Sequence, residues 1–290
     1  EDAPTSWDHR SPSIAIRGLR DVLMGALLGG EGLDVHGTDP LARAAADGKR
    51  FLFISNHESV FDLAILPEAL AASGHRELSE RLTFFVNPKI FNTPFINFFI
   101  CKPIAILKVP QNPRIAALES VMAPDDVQRR AAHGFEQASQ RLAIGDSLAI
   151  YPEGLRSDGV LHRFARAYLD LLRPESLAAH GLLPDDVLLV PLAHQGVRGL
   201  EDLSDPPHPV TVRFGAPVAP TAFFQAVEGR PRGVAGHLAG FLVARLLPEA
   251  QRGLYGPEPE QYLDHPHFRL RIRPHTLADI AQARSLAGSL

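Results

Sequence analysis

Short apolar runs alternate with helical patterns between residues 35 and 220, and this alternation restricts the fold more than any other feature of the chain. Phe51-Leu52-Phe53-Ile54-Ser55 is typical of a buried strand, and residues 61–73 are typical of a helix. Further strand-like runs lie at residues 148–151, 188–193 and 210–218. Alternating strands and helices favour a mostly parallel or mixed sheet with helices on its faces. The predicted class is therefore α/β.

The chain is predicted to have one domain with an extension at each end. Residues 1–34 form an N-terminal extension with a candidate membrane-contact helix, residues 35–220 form the core, and residues 221–290 form a helical C-terminal extension. A chain of 290 residues is long enough for such an arrangement. Other helices are predicted at residues 125–143, 163–173, 234–247, 248–255 and 276–286.

Composition argues against several classes of protein. The chain has one cysteine, Cys101, which excludes an internal disulfide and fits a reducing compartment. Its formal net charge of -4 argues against a nucleic-acid partner. The same charge argues against a membrane attachment that depends mainly on overall charge.

No stretch of the sequence is predicted to span a membrane. The longest apolar region, residues 84–107, is interrupted by Pro88, Lys89 and further polar or proline residues, whereas a span needs about 20 mostly apolar residues. Residues 14–28 place their apolar side chains on one helical face. This amphipathic helix would either lie in a lipid interface or pack on the core.

The segment Asn56-His57-Glu58-Ser59-Val60-Phe61-Asp62 directly follows the first strand pattern. His57 would lie at the turn from strand to helix, and Asp62 would lie in the first helical turn and reach back to it. Histidine is the side chain best suited to accept a proton near neutral pH, and a carboxylate on its second nitrogen stabilises the imidazolium. The pattern predicts a His–Asp dyad. The alternative is a surface histidine and an aspartate that favours the helix dipole.

A second polar segment, Tyr151-Pro152-Glu153-Gly154-Leu155-Arg156-Ser157, follows an apolar run that stops at a proline. It would lie at the carboxyl end of a strand, where open α/β sheets bind ligands. Gly154 permits close backbone approach, and Arg156 offers a planar fork suited to phosphate oxygens. Glu153 would bond a substrate hydroxyl or orient Arg156. The alternative is a solvated turn with a Glu–Arg pair.

In this order, the two segments resemble the motifs of the glycerolipid acyltransferase family, the PlsC-like enzymes that acylate glycerol 3-phosphate and lysophospholipids. The family pattern Asn-His-x-Ser-x-x-Asp is complete, and Pro-Glu-Gly-Thr-Arg-Ser departs only at Leu155. Lys89 opens a segment similar to the family's middle motif. Lys108 falls where the family usually has an arginine that helps hold the acceptor phosphate. Ala167 stands in place of a usual glycine, and the similarity covers residues 50–220.

The resemblance implies an enzyme that moves a fatty acyl group from acyl-CoA or acyl carrier protein to a hydroxyl of a glycerophospholipid precursor. The acceptor ranked first is 1-acylglycerol 3-phosphate, ahead of another lysophospholipid, a glycolipid or another alcohol. No permanently bound cofactor and no metal are expected. The expected location is cytoplasmic, with peripheral contact at the inner face of the cell membrane. The implied catalytic pair is His57 with Asp62, and the implied substrate-binding residues are Lys89, Lys108, Glu153, Gly154, Arg156 and Ser157.

Two other classes of protein remain open from the sequence. Gly145-Asp146-Ser147-Leu148-Ala149 approximates the nucleophile elbow of serine hydrolases, but Ser147 follows a helical pattern and precedes a strand, the reverse of an elbow. A catalytically weak lipid-binding protein of the same fold is consistent with the departures at Leu155 and Ala167. A zinc site is disfavoured, because His57-Glu58 lacks the second histidine of a zincin motif.

Overall fold

The structure is a computed structural model. It describes residues 32–86, 105–108, 124–154, 156, 159–197, 209–262 and 274–290. The predicted amphipathic helix at residues 14–28 and the predicted site residues Lys89 and Ser157 lie outside the described residues. For Lys108, only the backbone is described.

The described strands form one mixed sheet of seven strands in the order β1-β7-β6-β2-β5-β3-β4. Only β6 and β7 pair antiparallel among the neighbouring strands of this sheet, so β1 and β7 run opposite to the other five. The predicted α/β class is confirmed. The strands are β1 (Leu33–His36), β2 (Arg50–Ser55), β3 (Leu82–Val86), β4 (Ala105–Lys108), β5 (Ser147–Ile150), β6 (Val187–Gln195) and β7 (Val210–Phe214).

Helices cover both faces of the sheet. None of the helices in the described part of the chain is long and apolar enough to cross a membrane. The α-helices are α1 (Asp39–Ala46), α2 (Asp62–Ala72), α3 (Arg76–Glu80), α4 (Pro124–Ala143), α5 (Pro174–Ala178), α6 (Pro220–Ala226), α7 (Arg232–Ala244) and α8 (Pro274–Ala287). The 3-10 helices are Ala167–Leu172, Pro184–Asp186, Glu249–Gln251, Gly253–Tyr255 and Pro259–Tyr262.

The central strand β2 is buried on both faces. Phe51 and Phe53 point into the core that α1 and α2 cover, whereas Leu52 and Ile54 point into the core that α4, α7 and α8 cover. This alternation follows from the two-residue period of a strand. Burial of one such side chain stabilises the fold by about 1.5–3 kcal/mol. Burial on both faces therefore fixes the position of the carboxyl end of β2 and of the residues that follow it.

The helix predicted at residues 163–173 is wrong over residues 163–166. Only the 3-10 helix Ala167–Leu172 forms, and the residues before it run as an irregular segment. The backbone N–H of Phe164 donates to the Tyr255 hydroxyl at 3.0 Å, and that of Ala165 donates to the Pro152 carbonyl at 2.8 Å. These tertiary bonds hold the segment in place and override its local helical pattern.

The helix predicted at residues 248–255 is also wrong, since two 3-10 turns occur there. Gly253 begins the second turn with a φ of 49°, and a Cβ at this position would lie 2.3 Å from the Leu161 carbonyl oxygen. The backbone of Leu161 bonds to Gln251 and Leu254 on either side of this glycine. The strand-like run at residues 210–218 is longer than the strand that forms there, because β7 ends at Phe214.

Candidate active site

The carboxyl ends of β5, β2 and β6, which are adjacent strands, carry the candidate site. β2 leads directly to His57, and β5 leads directly to Glu153. Ile54 pairs with Ile150 near the ends of these two parallel strands, so the two segments leave the sheet side by side. Parallel pairing thus brings together residues that are 96 positions apart in the sequence, at the edge where such sheets bind ligands.

His57 and Asp62 form a hydrogen-bonded pair. The His57 Nδ1 atom lies 2.9 Å from Asp62 Oδ2. The Asp62 side chain is fully buried, whereas 17% of the His57 side chain is exposed. Because Nδ1 is engaged with the carboxylate, Nε2 is the ring nitrogen that can accept a proton from a substrate.

Asp62 is held in place by the backbone before it. Its Oδ2 atom also accepts the backbone N–H groups of Glu58 at 2.8 Å and Ser59 at 3.1 Å. Since an oxygen that receives two backbone donors acts as an acceptor, His57 Nδ1–H is the donor in the third bond. Asp62 is the first residue of α2, where the helix dipole favours a negative charge. The turn between His57 and Asp62 therefore fixes both the carboxylate and the imidazole tautomer.

Glu153 ties the two predicted motifs to each other. Its Oε1 accepts the backbone N–H of His57 at 2.9 Å, and its Oε2 accepts the backbone N–H of His162 at 2.8 Å. Both oxygens of the carboxylate thus hold backbone N–H groups, a structural role that the motif does not indicate. Loss of Glu153 would loosen the position of His57 itself.

Gly154 and Arg156 follow Glu153 at the same edge. Gly154 has a φ of 72°, in the left-handed region that strongly favours glycine. Arg156 is exposed to solvent. The Lys108 backbone lies at the carboxyl end of β4, where it pairs with Val86 of β3. By the spacing of neighbouring strands, β4 is roughly 14 Å from β2 along this edge.

Asn56 joins the site to β6, a role that the motif alone does not reveal. Its side-chain amide donates to the His194 carbonyl and accepts the His194 backbone N–H, both at 2.9 Å. This pair of bonds fixes the residue before His57 to the neighbouring strand. The motif signals Asn56, but its partner 138 residues later is known only from the fold.

Tyr151 packs against the dyad from the interior, and His194 packs against Tyr151; the local sequence pattern marks neither as a site residue. The Tyr151 ring stacks on the His57 imidazole with ring centroids 4.6 Å apart, and His194 meets Tyr151 edge-on at 6.2 Å. Burial, together with the Asp62 carboxylate, raises the pKa of Tyr151 well above its ordinary value. Burial lowers the pKa of His194. Both rings are therefore neutral near pH 7, and the stacked Tyr151 ring restricts the orientation of His57.

Glu58 occupies the variable position of the first motif and is also largely buried. Its Oε2 accepts the backbone N–H of Val197 at 3.0 Å, which ties the motif to the segment after β6. Burial, followed by the nearby Asp62 carboxylate, raises the pKa of Glu58 to about 8. Glu58 is thus mostly protonated at neutral pH in the folded protein.

We expect Glu58→Gln to change how stability depends on pH. Below pH 4.5, Glu58 is protonated in both the folded and the unfolded chain. Between pH 4.5 and about 8, only the folded chain retains this proton, so the wild-type free energy of unfolding falls as pH rises. The slope is at most about 1.4 kcal/mol per pH unit for one group. Glutamine does not titrate, so the variant lacks this loss.

Urea unfolding of both proteins between pH 5 and pH 8 measures this difference. Glu77→Gln, on the exposed side of α3, is the matched control and should follow the wild-type curve. If the wild-type and Glu58→Gln curves were parallel over the whole range, the raised pKa of Glu58 would be wrong.

The serine-hydrolase alternative does not fit the geometry. Ser147 is the first residue of β5, and its Oγ accepts the backbone N–H of Phe51 near the start of β2. His57 follows the other end of β2, roughly 16 Å away by the rise of a strand. Ser147 therefore cannot be activated by His57. Among the described residues, no cluster of three or more histidine, cysteine or acidic side chains is arranged to hold a metal.

The fold and this site define an α/β protein with a hydrogen-bonded histidine–aspartate pair at the carboxyl edge of its sheet. A family model described as Acyltransferase matches residues 32–195, which is more than half of the chain. The chain therefore belongs to this acyltransferase family, that of the PlsC-like glycerolipid acyltransferases, and the resemblance found in the sequence is confirmed. The match includes both motifs of the site. A search of curated proteins found no match.

Proposed function

We propose that the protein transfers a fatty acyl group from acyl-CoA or acyl carrier protein directly to a hydroxyl of a glycerophospholipid precursor. The proposed acceptor is 1-acylglycerol 3-phosphate. The observation that carries this proposal is the 2.9 Å bond between His57 Nδ1 and the buried Asp62, in a chain of the acyltransferase family. Such a pair suits a reaction in which an alcohol must lose its proton as it attacks a carbonyl.

The proposed reaction needs no acyl-enzyme intermediate. His57 Nε2 takes the proton of the acceptor hydroxyl while the hydroxyl oxygen attacks the thioester carbonyl carbon. The resulting tetrahedral intermediate collapses, the carbon–sulfur bond breaks, and the proton on Nε2 passes to the leaving thiolate. The products are an ester and a free thiol, and His57 returns to its neutral form. The substrate hydroxyl thus takes the place that serine has in a hydrolase triad.

Asp62 supports this cycle through its charge and its position. Its carboxylate lies next to the imidazolium that forms during the reaction and stabilises it. Glu58 and Ser59 backbone N–H groups keep the carboxylate in place, so the pair does not need to reorganise. Tyr151 limits rotation of the ring from one face. The protein would therefore accelerate the reaction by orientation and electrostatics, while the thioester supplies the reactive acyl group.

Acceptor binding is assigned to basic residues on the same edge of the sheet. The proposed phosphate clamp is Arg156 with Lys108, and Lys89, Gly154 and Ser157 are proposed to complete the acceptor site. Arg156 is exposed and follows Glu153 by three residues in the sequence. Lys108 is the last residue of β4 in the same sheet. A guanidinium can hold two phosphate oxygens at once, which fixes the orientation of the acceptor as well as its charge.

Arg156→Lys should raise the KM for the acceptor much more than the KM for the acyl donor. Lysine keeps the positive charge but loses the two-pronged geometry that orients a phosphate. Steady-state kinetics with each substrate varied separately measures both constants. Arg76→Lys on α3, another exposed arginine, is the control and should change neither constant. An unchanged acceptor KM, or a weakened donor alone, would remove Arg156 from the acceptor site.

The proposal as a whole is tested with a panel of acceptors and two acyl donors. The purified protein is incubated with glycerol 3-phosphate, 1-acylglycerol 3-phosphate, other lysophospholipids and a simple long-chain alcohol, each with acyl-CoA or acyl carrier protein. Products are identified by mass spectrometry. We expect one acylated phosphate-bearing lipid to dominate. Absence of turnover with every combination would favour the lipid-binding alternative.

A further inference from the structure

Residues 249–255 reach the candidate active site although they are far from both motifs in the sequence. They follow α7 and consist of the 3-10 turns Glu249–Gln251 and Gly253–Tyr255, with Arg252 between them. They also lie beyond residue 195, where the family match ends. Their partner is the irregular stretch of residues 161–165, which we name the linking segment because it leads back to the site.

Two backbone hydrogen bonds hold the start of the linking segment. The N–H of Leu161 donates to the Gln251 carbonyl at 2.9 Å, and the Leu161 carbonyl accepts the N–H of Leu254 at 3.2 Å. Both polar groups of Leu161 are thus satisfied by residues 249–255, and its side chain is buried.

The Tyr255 hydroxyl holds the other half of the linking segment. It accepts the backbone N–H of Phe164 at 3.0 Å, and the two rings meet edge-on with centroids 6.0 Å apart. Burial raises the pKa of Tyr255, so its phenol is neutral and keeps its hydroxyl. His162 lies between the two anchored residues, so its backbone position is determined from both sides.

His162 carries this restraint into the site. Its backbone N–H donates to Glu153 Oε2 at 2.8 Å, and Glu153 Oε1 accepts the backbone N–H of His57 at 2.9 Å. One carboxylate therefore spans the linking segment and the histidine of the dyad. A shift of the linking segment would pull on the bond that holds the His57 backbone.

Close packing on α7 leaves the linking segment little room to move. A Cβ at Gly236 would lie 2.8 Å from the Phe164 carbonyl oxygen. A Cβ at Gly240, one turn further along the same helix, would lie 2.1 Å from Cζ of Tyr255. Interiors packed this closely transmit displacements instead of absorbing them.

A second bond joins residues 249–255 to the strand beside the dyad. Gln195, the last residue of β6, donates from its side-chain amide to Gln251 Oε1 at 2.9 Å. The preceding residue, His194, forms the two bonds with Asn56 that fix the start of the first motif. Residues 249–255 thus contact both structures that hold His57 in place.

We infer that Tyr255 is a positioning residue for His57, acting through the linking segment and Glu153. Its effect on turnover rests on the proposed acyl transfer, whereas its effect on the geometry of His57 rests on these contacts alone. Position matters here because misplacing a catalytic group by about 1 Å can lower a rate on the order of 100-fold.

Nuclear magnetic resonance of the full chain with ¹⁵N-labelled histidine tests the geometric part. Tyr255→Phe keeps the ring and removes the acceptor of the Phe164 N–H, so the imidazole signals of His57 should shift. These signals are assigned by their loss in His57→Ala. The control is Tyr168→Phe, which removes another buried hydroxyl, on a ring packed against Phe85 and Phe135, and should leave the His57 signals in place.

Two glycines of α7 supply an independent pair of variants. Gly236→Ala keeps Tyr255 and forces the Phe164 carbonyl to move, so the His57 signals should shift again. Gly233→Ala is the control, because its Cβ would lie 2.3 Å from Asp279 Oδ2 on α8 and would not touch the linking segment. Thermal unfolding and circular dichroism check that all variants are folded.

Steady-state kinetics tests the effect on turnover. Tyr255→Phe and Gly236→Ala should each lower kcat by about tenfold, with the KM of both substrates changed by less than about twofold, because orientation and not binding is impaired. Tyr168→Phe and Gly233→Ala should keep kcat within about twofold.

A double variant tests whether the effect passes through Glu153. Glu153→Ala removes both of its bonds, so adding Tyr255→Phe to Glu153→Ala should shift the His57 signals no further. Additive shifts in the double variant would overturn the inference. Unchanged His57 signals in folded Tyr255→Phe and Gly236→Ala would also overturn it, as would equal shifts in the two control variants.

The two readouts separate this inference from the proposed function. Shifted His57 signals in Tyr255→Phe, in a protein that acylates no acceptor even as the wild type, would refute the proposed acyl transfer and leave Tyr255 as a positioning residue. Wild-type turnover together with His57 signals and kcat that are indifferent to Tyr255→Phe and Gly236→Ala would refute the positioning role alone.

Discussion

Replacing His57 with alanine should lower the rate of acyl transfer by about 10²–10⁴-fold, the usual effect of losing a general base. The fold should survive, because the His57 side chain is partly exposed and contributes one hydrogen bond, to Asp62. The measurement is kcat for the purified variant with a saturating acyl donor and acceptor. Circular dichroism and thermal unfolding confirm that the variant is folded.

A second histidine–aspartate pair on this protein supplies a matched control. His36 Nε2 lies 2.8 Å from Asp34 Oδ2 on the edge strand β1, and both side chains are about half exposed. His36→Ala removes the same chemical groups from a pair that faces solvent, so kcat should stay within about twofold, as is usual for surface substitutions. If a folded His57→Ala protein kept half of the wild-type rate, the general-base mechanism would be wrong.

Asp62→Asn should lower kcat by about 10²-fold or more, nearly as much as the loss of His57. Oδ2 accepts three N–H groups, and the asparagine oxygen can occupy its place and keep the same tautomer of His57. The loss therefore comes from the missing negative charge beside the imidazolium. Oδ1 is fully buried and receives no hydrogen bond from the described residues, and the amide places a new N–H₂ group at this position. This should lower the stability by about 1–3 kcal/mol.

The Asp62→Asn experiment compares activity with stability in one protein. Asp34→Asn in the exposed pair is the control, and it should change neither kcat nor the melting temperature appreciably. Rates are measured well below the melting temperature of the variant, so that unfolding does not contribute to the loss. An Asp62→Asn protein that is folded and works at the wild-type rate would show that the carboxylate does not assist His57.

The dyad could be predicted because its geometry is local. His57 and Asp62 are five residues apart across a turn from strand to helix, and this spacing alone brings a carboxylate back to an imidazole. The role of Gly154 could also be predicted locally, because its left-handed backbone conformation is a property of the turn in which it lies. Signals of this kind are carried by neighbouring residues and need no knowledge of the rest of the chain.

The supports of the dyad could not be predicted in the same way. Tyr151 stacks on His57, and Asn56 bonds to His194, only because β5 and β6 flank β2. A tyrosine before a proline and a histidine within a strand carry no local sign of such roles. The use of Glu153 as a link between backbone segments was missed for the same reason, because both of its partners are distant in sequence.

The helices predicted at residues 163–173 and 248–255 do not form as predicted, because tertiary contacts there compete with the local helix propensity. The segment around Leu161 and Phe164 bonds to the segment around Gly253 and Tyr255, and neither becomes the helix that its composition favours. Helix propensity amounts to a few tenths of a kcal/mol per residue, so a few well-made tertiary hydrogen bonds outweigh it. Helices with a buried face, such as α2 and α7, lie close to their predicted positions.

The sequence by itself determined the α/β class, the family and the pair His57–Asp62, because hydrophobic period and short spacings act over a few residues. Only the tertiary structure decided the order β1-β7-β6-β2-β5-β3-β4 and the reversal of β1 and β7. It also decided the stacking of Tyr151 on His57 and the two hydrogen bonds between Asn56 and His194. These features depend on which distant surfaces bury each other, and the free energy of that burial belongs to the whole chain rather than to any segment of it.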